Sequence, residues 1–164
     1  MNNPMIVRTA QPAELAAVGE LRVAAYNSDH FLDPFPAYAD TLRALGSHGV
    51  VLVAVEGTQL LGTITLERWH SGSDLAVGPE EAEIRALAVS PSAQGRGVGR
   101  ALVRAVVELG VEWGVRRGVR RLVLHSQPTM VTAHRLYEEV GFVRVPKRDY
   151  RSETFELLAY ALEL

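Results

Sequence analysis

Val89-Ser90-Pro91-Ser92-Ala93-Gln94-Gly95-Arg96-Gly97-Val98-Gly99-Arg100 joins an apolar run to an amphipathic one through three alternating glycines. The run before it, residues 82–89, shows little alternation of apolar and polar positions, as a central strand covered on both faces requires. After it, Leu102, Val106, Leu109 and Trp113 fall on one stripe of a helix that begins near Gly97 and stops by Gly118, with Arg116 and Arg117 in its favourable last turn. Glycines let successive backbone N–H groups turn toward one point, and the helix that follows adds its positive end. The bend therefore suits a di-anion such as pyrophosphate. Arg96 and Arg100 can add charge-assisted bonds to phosphate oxygens. Taken alone, the glycines fit equally a strand-to-helix turn that binds nothing.

Two familiar phosphate motifs are excluded. A P-loop ends in Gly-Lys-Ser/Thr, whereas this bend ends Gly99-Arg100-Ala101 and the only lysine is Lys147. A dinucleotide fingerprint needs G-x-G-x-x-G, but Arg100 follows Gly95 and Gly97 at the third position, and Leu102 follows Gly97 and Gly99.

Outward from the bend, residues 5–9 read as a strand, and Pro12 opens a helix to about Tyr26 with Leu15, Val18, Leu21 and Ala25 at helical spacing. Residues 27–36 form an irregular loop before a second helix over 37–45. Strands at 50–56 and 60–69 flank a three-residue hairpin signal, Gly57-Thr58-Gln59, and residues 71–81 form a surface loop. Residues 121–126 are a further strand. Thr129 caps a last helix with the stripe Ala133, Leu136, Tyr137 and Val140, ended by Gly141, and strands at 142–145 and 154–164 close the chain. Hairpins mixed with two crossover units predict an α/β fold: a mixed, mostly antiparallel central sheet of about seven strands with helices on both faces.

With these residues in view, the sequence resembles the GNAT superfamily of N-acetyltransferases. The signature Gln/Arg-x-x-Gly-x-Gly/Ala is matched by Gln94, Gly97 and Gly99. Residues 82–89 have the form of the family's preceding strand, and residues 133–142 resemble its A-x-x-L-Y-E-x-x-G-F helix. The specific motifs cover residues 82–143, and the N-terminal third matches in element order only. The resemblance implies a single GNAT-like domain over residues 1–164 that binds acetyl-CoA as cosubstrate. Leu87, Ala88 and Val89 would offer backbone groups to the pantetheine arm, and Gln94, Gly95, Arg96, Gly97, Val98, Gly99 and Arg100 would wrap the pyrophosphate. Many members carry Asn seven residues before the tyrosine, where this chain has Met130. The missing side-chain bond is absent or falls to Thr129 or His134.

Direct transfer needs a neutral amine to attack a thioester and a proton for the departing thiolate, hence two proton-handling groups. Presenting an amine of pKa about 10.4 neutral at pH 7 costs roughly 4–5 kcal/mol. The resemblance places the base at Glu83, eleven residues before Gln94 as in histone-type members, and the acid at Tyr137. The plainer alternatives are a Glu83 paired with an arginine and a Tyr137 that is a core residue of its helix stripe. His125, at the end of the next strand, is the rival base. The resemblance assigns the acceptor to the first two helices and their loop. Asp29 and Asp33 can attract a cationic amine, and Tyr26, Phe31 and Phe35 can pack an apolar body, with residues 146–150 bordering the same opening.

Composition narrows the rest. A chain of 164 residues, 48% hydrophobic, can bury one core. With 17 basic and 19 acidic residues, no strong field recruits nucleic acid or an anionic membrane. Absence of cysteine excludes disulfides, thiolate metal sites and a cysteine nucleophile, and the five histidines show no i, i+4 pair, so no metal is expected. No apolar run approaches the ~20 residues that cross a bilayer, and a cytoplasmic protein is expected. Its partners would be acetyl-CoA and an amine acceptor, and a homodimer is compatible with the sequence. The acceptor is expected to be a small-molecule amine, with two alternatives: a protein lysine or N-terminal amine, or no acceptor at all in a non-catalytic acyl-CoA sensor.

Overall fold

Runs of Val, Leu, Ile and Thr build one sheet, because branched side chains pack well on a pleated, covered surface. The structure is a computed structural model and describes residues 3–164. Strands β1 (Met5–Thr9), β2 (Gly49–Glu56), β3 (Gln59–Arg68) and β4 (Glu81–Val89) form an antiparallel meander, and β5 (Arg121–Ser126) pairs parallel with β4. The short β6 (Val143–Arg144) and β7 (Tyr150–Arg151) both pair with β8 (Glu156–Glu163), which lies antiparallel beside β5. Four helices accompany them: α1 (Leu15–Ser28), α2 (Tyr38–Ala44), α3 (Val98–Arg117) and α4 (Val131–Glu139). The expected mixed, mostly antiparallel sheet with helices on both faces is observed, with eight strands because the short β7, outside every expected strand, adds itself to β8. No helix among the described residues is long and apolar enough to cross a membrane.

Alternation along β2 assigns the faces. Leu52 and Ala54 point into the main core, with Leu102, Val106 and Trp113 of α3, while Val51, Val53 and Val55 pack with Val18 of α1. Several local expectations shift. The first helix opens as a single 3-10 turn, Pro12–Glu14, closed by a capping box between Gln11 and Glu14, and α1 runs on to Ser28. The hairpin turn holds two residues, since Gln59 pairs with Glu56, and Gly57 takes the φ of 61° that the turn demands. Thr129 does not cap α4; Met130 takes that position without a side-chain bond.

Leu15, expected on the buried stripe of α1, is exposed, and Arg22 is buried instead. Its guanidinium donates to the carbonyls of Leu42 (2.8 Å) and Leu45 (3.0 Å) and to Thr65 Oγ1 (3.1 Å). A cation at the C-terminal end of α2 meets the negative end of that helix dipole, which ties α1, α2 and β3 together.

A second buried charge, Glu81, stands at the start of β4. Arg148 reaches both its oxygens at 2.8 Å, Arg121 donates at 3.0 Å, and the Val77 amide at 3.1 Å. Burial opposes its charge, yet the bonds from Arg148, Arg121 and Val77 outweigh it and hold the pKa at about 2, below the usual 4.5. Arg148 also donates to the Leu75 carbonyl at 2.8 Å, so the loop before β4 and the turn before β7 are fastened to one carboxylate. A depressed folded pKa means stability present above pH 4.5 and lost as pH falls toward about 2. The cluster is expected to contribute at most about 3 kcal/mol across that window. Glu81→Gln should therefore lower unfolding free energy at pH 7 by about 2–3 kcal/mol and flatten its decline on acidification, measured by chemical denaturation at a series of pH values.

Candidate active site

β4 and β5 pair over only three positions, Glu81 with Arg121, Ala82 with Leu122 and Glu83 with Val123, and then part. Within β4 the register to β3 slips, and Ala86 takes φ 54°, a left-handed conformation that costs an L-residue about 1–2 kcal/mol. The bulge turns the strand over. Before it, Ala82 and Ile84 face the α3 core; after it, Ala86 and Ala88 pack with Val23, Tyr26 and Leu42, while Leu87 and Val89 contact the α3 side. The Ser90 N–H donates to Leu61 O at 2.8 Å, so strand alternation aims the N–H groups of Leu87 and Val89 away from β3, toward the gap.

On the α3 side of the gap lies a cavity of about 710 Å³. Leu87, Ala88 and Val89 line it, as do Gln94, Gly95, Gly97, Val98, Gly99 and Arg100 of the bend, with Thr129 across from them. Among the described residues, no protein acceptor takes the N–H groups of residues 94–100; the first bond of α3 runs from Ala101 to Gly97 O at 3.1 Å. Gly95 and Gly97 have φ of 78° and 79°, and a Cβ at either would meet nothing within 4 Å, so backbone conformation and not crowding requires glycine there. Gly99 differs, because a Cβ would come 2.9 Å from Leu136 Cδ1, and its absence lets α3 approach α4. Converging unpaired amides at a helix N-terminus fit the pyrophosphate of coenzyme A. Arg96 is turned to Glu56 and does not line the cavity, while Arg100 lines it and holds Glu139 at 2.9 and 3.2 Å.

A second cavity, about 530 Å³, lies on the α1–α2 side and shares Tyr26, Phe31 and Met130 with the first. Glu83 and His125 both line it. Glu83 is buried, and its Oε1 accepts the amides of Leu75 and Ala76, each at 3.0 Å, while its Oε2 lies 3.8 Å from Arg85 Nε. His125 is half-buried. Its Nε2 meets the carbonyl of Arg148 at 2.9 Å, and a carbonyl only accepts, so Nε2 carries the hydrogen and Nδ1 keeps its lone pair or a second proton.

The remaining expected residues divide. Asp29 borders the first cavity, not the second, and Asp33 stays at the surface with His30. His134 is drawn away from both cavities: its Nε2 lies 3.0 Å from Ser126 Oγ and from Gln127 O, and burial pushes its pKa down. Tyr137 packs between Phe142 and Tyr160, and burial pushes its phenol well above the ordinary range. It borders neither cavity wall.

Sequence reasoning missed Ala86, Arg85 and Asp74. An alanine carries no local signal for a left-handed bulge, and Asp74 sits in a Gly- and Ser-rich loop indistinguishable from a solvated one. Only the fold brings it to Arg85, at 3.2 Å. Among the described residues, no three His, Asp or Glu side chains gather to hold a metal.

A bend of unpaired amides lies on one side of the sheet gap and a second cavity on the other, an arrangement that suits a transferase. The chain belongs to the Acetyltransferase (GNAT) family, whose model matches residues 15–142. It is an acetyl-CoA-dependent acetyltransferase. Its fold is similar to that of the ribosomal-protein-S18-alanine N-acetyltransferase from Escherichia coli, with 20% identity, TM-score 0.70, and coverage of 98% of this chain and 94% of that one. It is similar also to yncA from Salmonella typhimurium, a structure with its cofactor acetyl-CoA (22% identity, TM-score 0.67, 99% and 95% covered). An acetyltransferase from Streptococcus agalactiae 2603 shows the same fold (21%, TM-score 0.71, 98% of each chain). No curated protein matches the sequence significantly.

Gly97→Val should strain the bend and set a branched side chain at the cavity mouth. Acetyl-CoA affinity, measured by titration calorimetry, is expected to fall at least about tenfold, with thermal stability changing far less than it would for a core substitution.

Proposed function

We propose that residues 1–164 form one acetyltransferase domain that moves the acetyl group of acetyl-CoA to the primary amine of a small molecule bound in the second cavity. The observation that carries this reading is the meeting of the two cavities at Tyr26, Phe31 and Met130, beside the point where β4 and β5 part. A cavity of about 530 Å³ bounded by loops suits a small acceptor better than a polypeptide.

In this reading the amides of residues 94–100 hold the pyrophosphate, with Thr129 near the opposite rim, and the N–H groups turned out from Leu87 and Val89 serve the pantetheine arm and the developing oxyanion. The amine nitrogen forms a bond to the acetyl carbon as the carbon–sulfur bond breaks. Its proton passes to His125 Nδ1, the ring position without a protein partner among the described residues, and from there to solvent. Glu83, whose Oε1 already accepts two amides, serves as a fixed anion that orients the ammonium and holds the loop at Leu75 and Ala76. Tyr137, from behind the cavity wall, donates a hydrogen bond toward the departing sulfur, and the thiolate takes up its proton from solvent. A phenol kept neutral by burial is always able to donate that bond.

Thiol release from acetyl-CoA across an amine panel tests the reading. His125→Ala is expected to lower kcat/KM by about 10²–10⁴, and Tyr137→Phe to lower kcat at least about tenfold. Unchanged kcat in Tyr137→Phe would remove that role. A Glu83→Gln enzyme that is inactive beside an active His125→Ala enzyme would return the base to Glu83.

A further inference from the structure

The aromatic residues of this chain are unevenly placed. Of four Phe, five Tyr and two Trp, six line the second cavity: Tyr26, Phe31, Phe35, Tyr38, Tyr150 and Phe155. They are not there to fill the main core, since Phe35 is 49% and Tyr150 46% exposed. The rings organise one another. Phe35 and Phe155 stack with centroids 5.7 Å apart, Tyr150 adds to Phe155 at 5.4 Å, and Tyr26 meets Phe31 edge-on at 6.0 Å. Preordered rings present a planar apolar body with faces and edges at little entropic cost.

The charge of the same cavity is one-sided. Asp74 and Glu83 line it, and no lysine or arginine does among the described residues. Behind the wall, Arg85 is met by Glu67 at 3.1 Å, Asp74 at 3.2 Å and Glu83 at 3.8 Å, so within 4 Å three carboxylates surround that guanidinium, with Arg22 and Arg148 farther off. Such a floor attracts an ammonium group and repels a carboxylate. An α-amino acid would bring a carboxylate within two bonds of its amine and find no partner for it. An aliphatic polyamine would leave the rings with no planar apolar body to cover.

From these two features we infer that the acceptor is an arylalkylamine: an aromatic ring joined by a short alkyl chain to a primary amine, without a carboxylate. This rests on the acetyl-transfer reading above and names the substrate class of that site. The ring lies against the Phe35–Phe155 stack and the ammonium points inward toward Glu83 and His125.

The test compares kcat/KM for 2-phenylethylamine, n-butylamine, L-phenylalanine, spermidine and an N-terminal hexapeptide, read as thiol release from acetyl-CoA. The expected result is a preference for 2-phenylethylamine of at least about tenfold over n-butylamine and about a hundredfold over L-phenylalanine, from ring contact and carboxylate exclusion respectively. Phe155→Ala should reduce the 2-phenylethylamine to n-butylamine ratio severalfold, a readout that a general loss of fold or of acetyl-CoA binding would not move. Equal or better turnover of L-phenylalanine, spermidine or the peptide would overturn the arylalkylamine assignment while leaving the transferase reading intact. So would a selectivity ratio untouched by Phe155→Ala. Absence of thiol release with every amine, in protein shown by calorimetry to bind acetyl-CoA, would overturn both.

Discussion

The molecule depends on a sheet that is made to come apart. A parallel pair of strands in a covered sheet gains a hydrogen bond at each step, and nothing in the composition of β4 or β5 forbids pairing beyond Glu83 and Val123. What ends it is the left-handed turn at Ala86, which reverses the faces of β4 and leaves the amides of Leu87 and Val89 without a strand to bond. Those groups must be satisfied by water or by a ligand. The strain at one alanine is thus converted into a slot through the sheet, and both cavities are measured from it.

Holding such a gap open needs rigid edges, and the chain supplies them with buried charge. Glu81 binds Arg148 and Arg121 at the base of the gap, Glu83 binds the Leu75 and Ala76 amides, and Arg22 binds the end of α2 to β3. Buried ion pairs seldom add much net stability, because desolvation offsets most of their attraction. Their use here is directional. Each fastens a segment with no regular backbone ladder of its own to a strand beside the site, which apolar contacts, being non-directional, do less well.

The two halves of the site are built by different physics. The side of the bend is backbone: unpaired amides on a bend whose φ values only glycine takes easily, plus a helix N-terminus. The second cavity is side chain: rings from α1, from the loop before α2 and the start of α2, from β7 and from the approach to β8, gathered around carboxylates from β4 and the loop before it. Backbone recognition constrains residue type at few positions and tolerates change elsewhere. Side-chain recognition changes whenever a loop does, so a shared donor and a variable acceptor can coexist on one scaffold.

That division explains what could be read before folding. Gly95, Gly97 and Gly99 announce the bend because left-handed φ and close approach demand particular residues at particular spacing, and a local conformational demand is written in local sequence. The helix stripes and the strand order were legible for the same reason, since periodicity is a local property. The acceptor side was not. Tyr26, Phe31 and Phe35 could be named as an apolar surface and residues 146–150 as its border, but Phe155 joins them from more than a hundred residues away. Asp29 and Asp33 were legible as acceptor carboxylates and Asp74 was not, and His134 was as legible for the cofactor arm as His125 was for the base. The sequence by itself determined the fold and the glycine bend. Which carboxylates, rings and imidazole face one another was decided only by the tertiary structure, because contacts between distant segments depend on how β4 turns over at Ala86, and an alanine carries no mark of that turn.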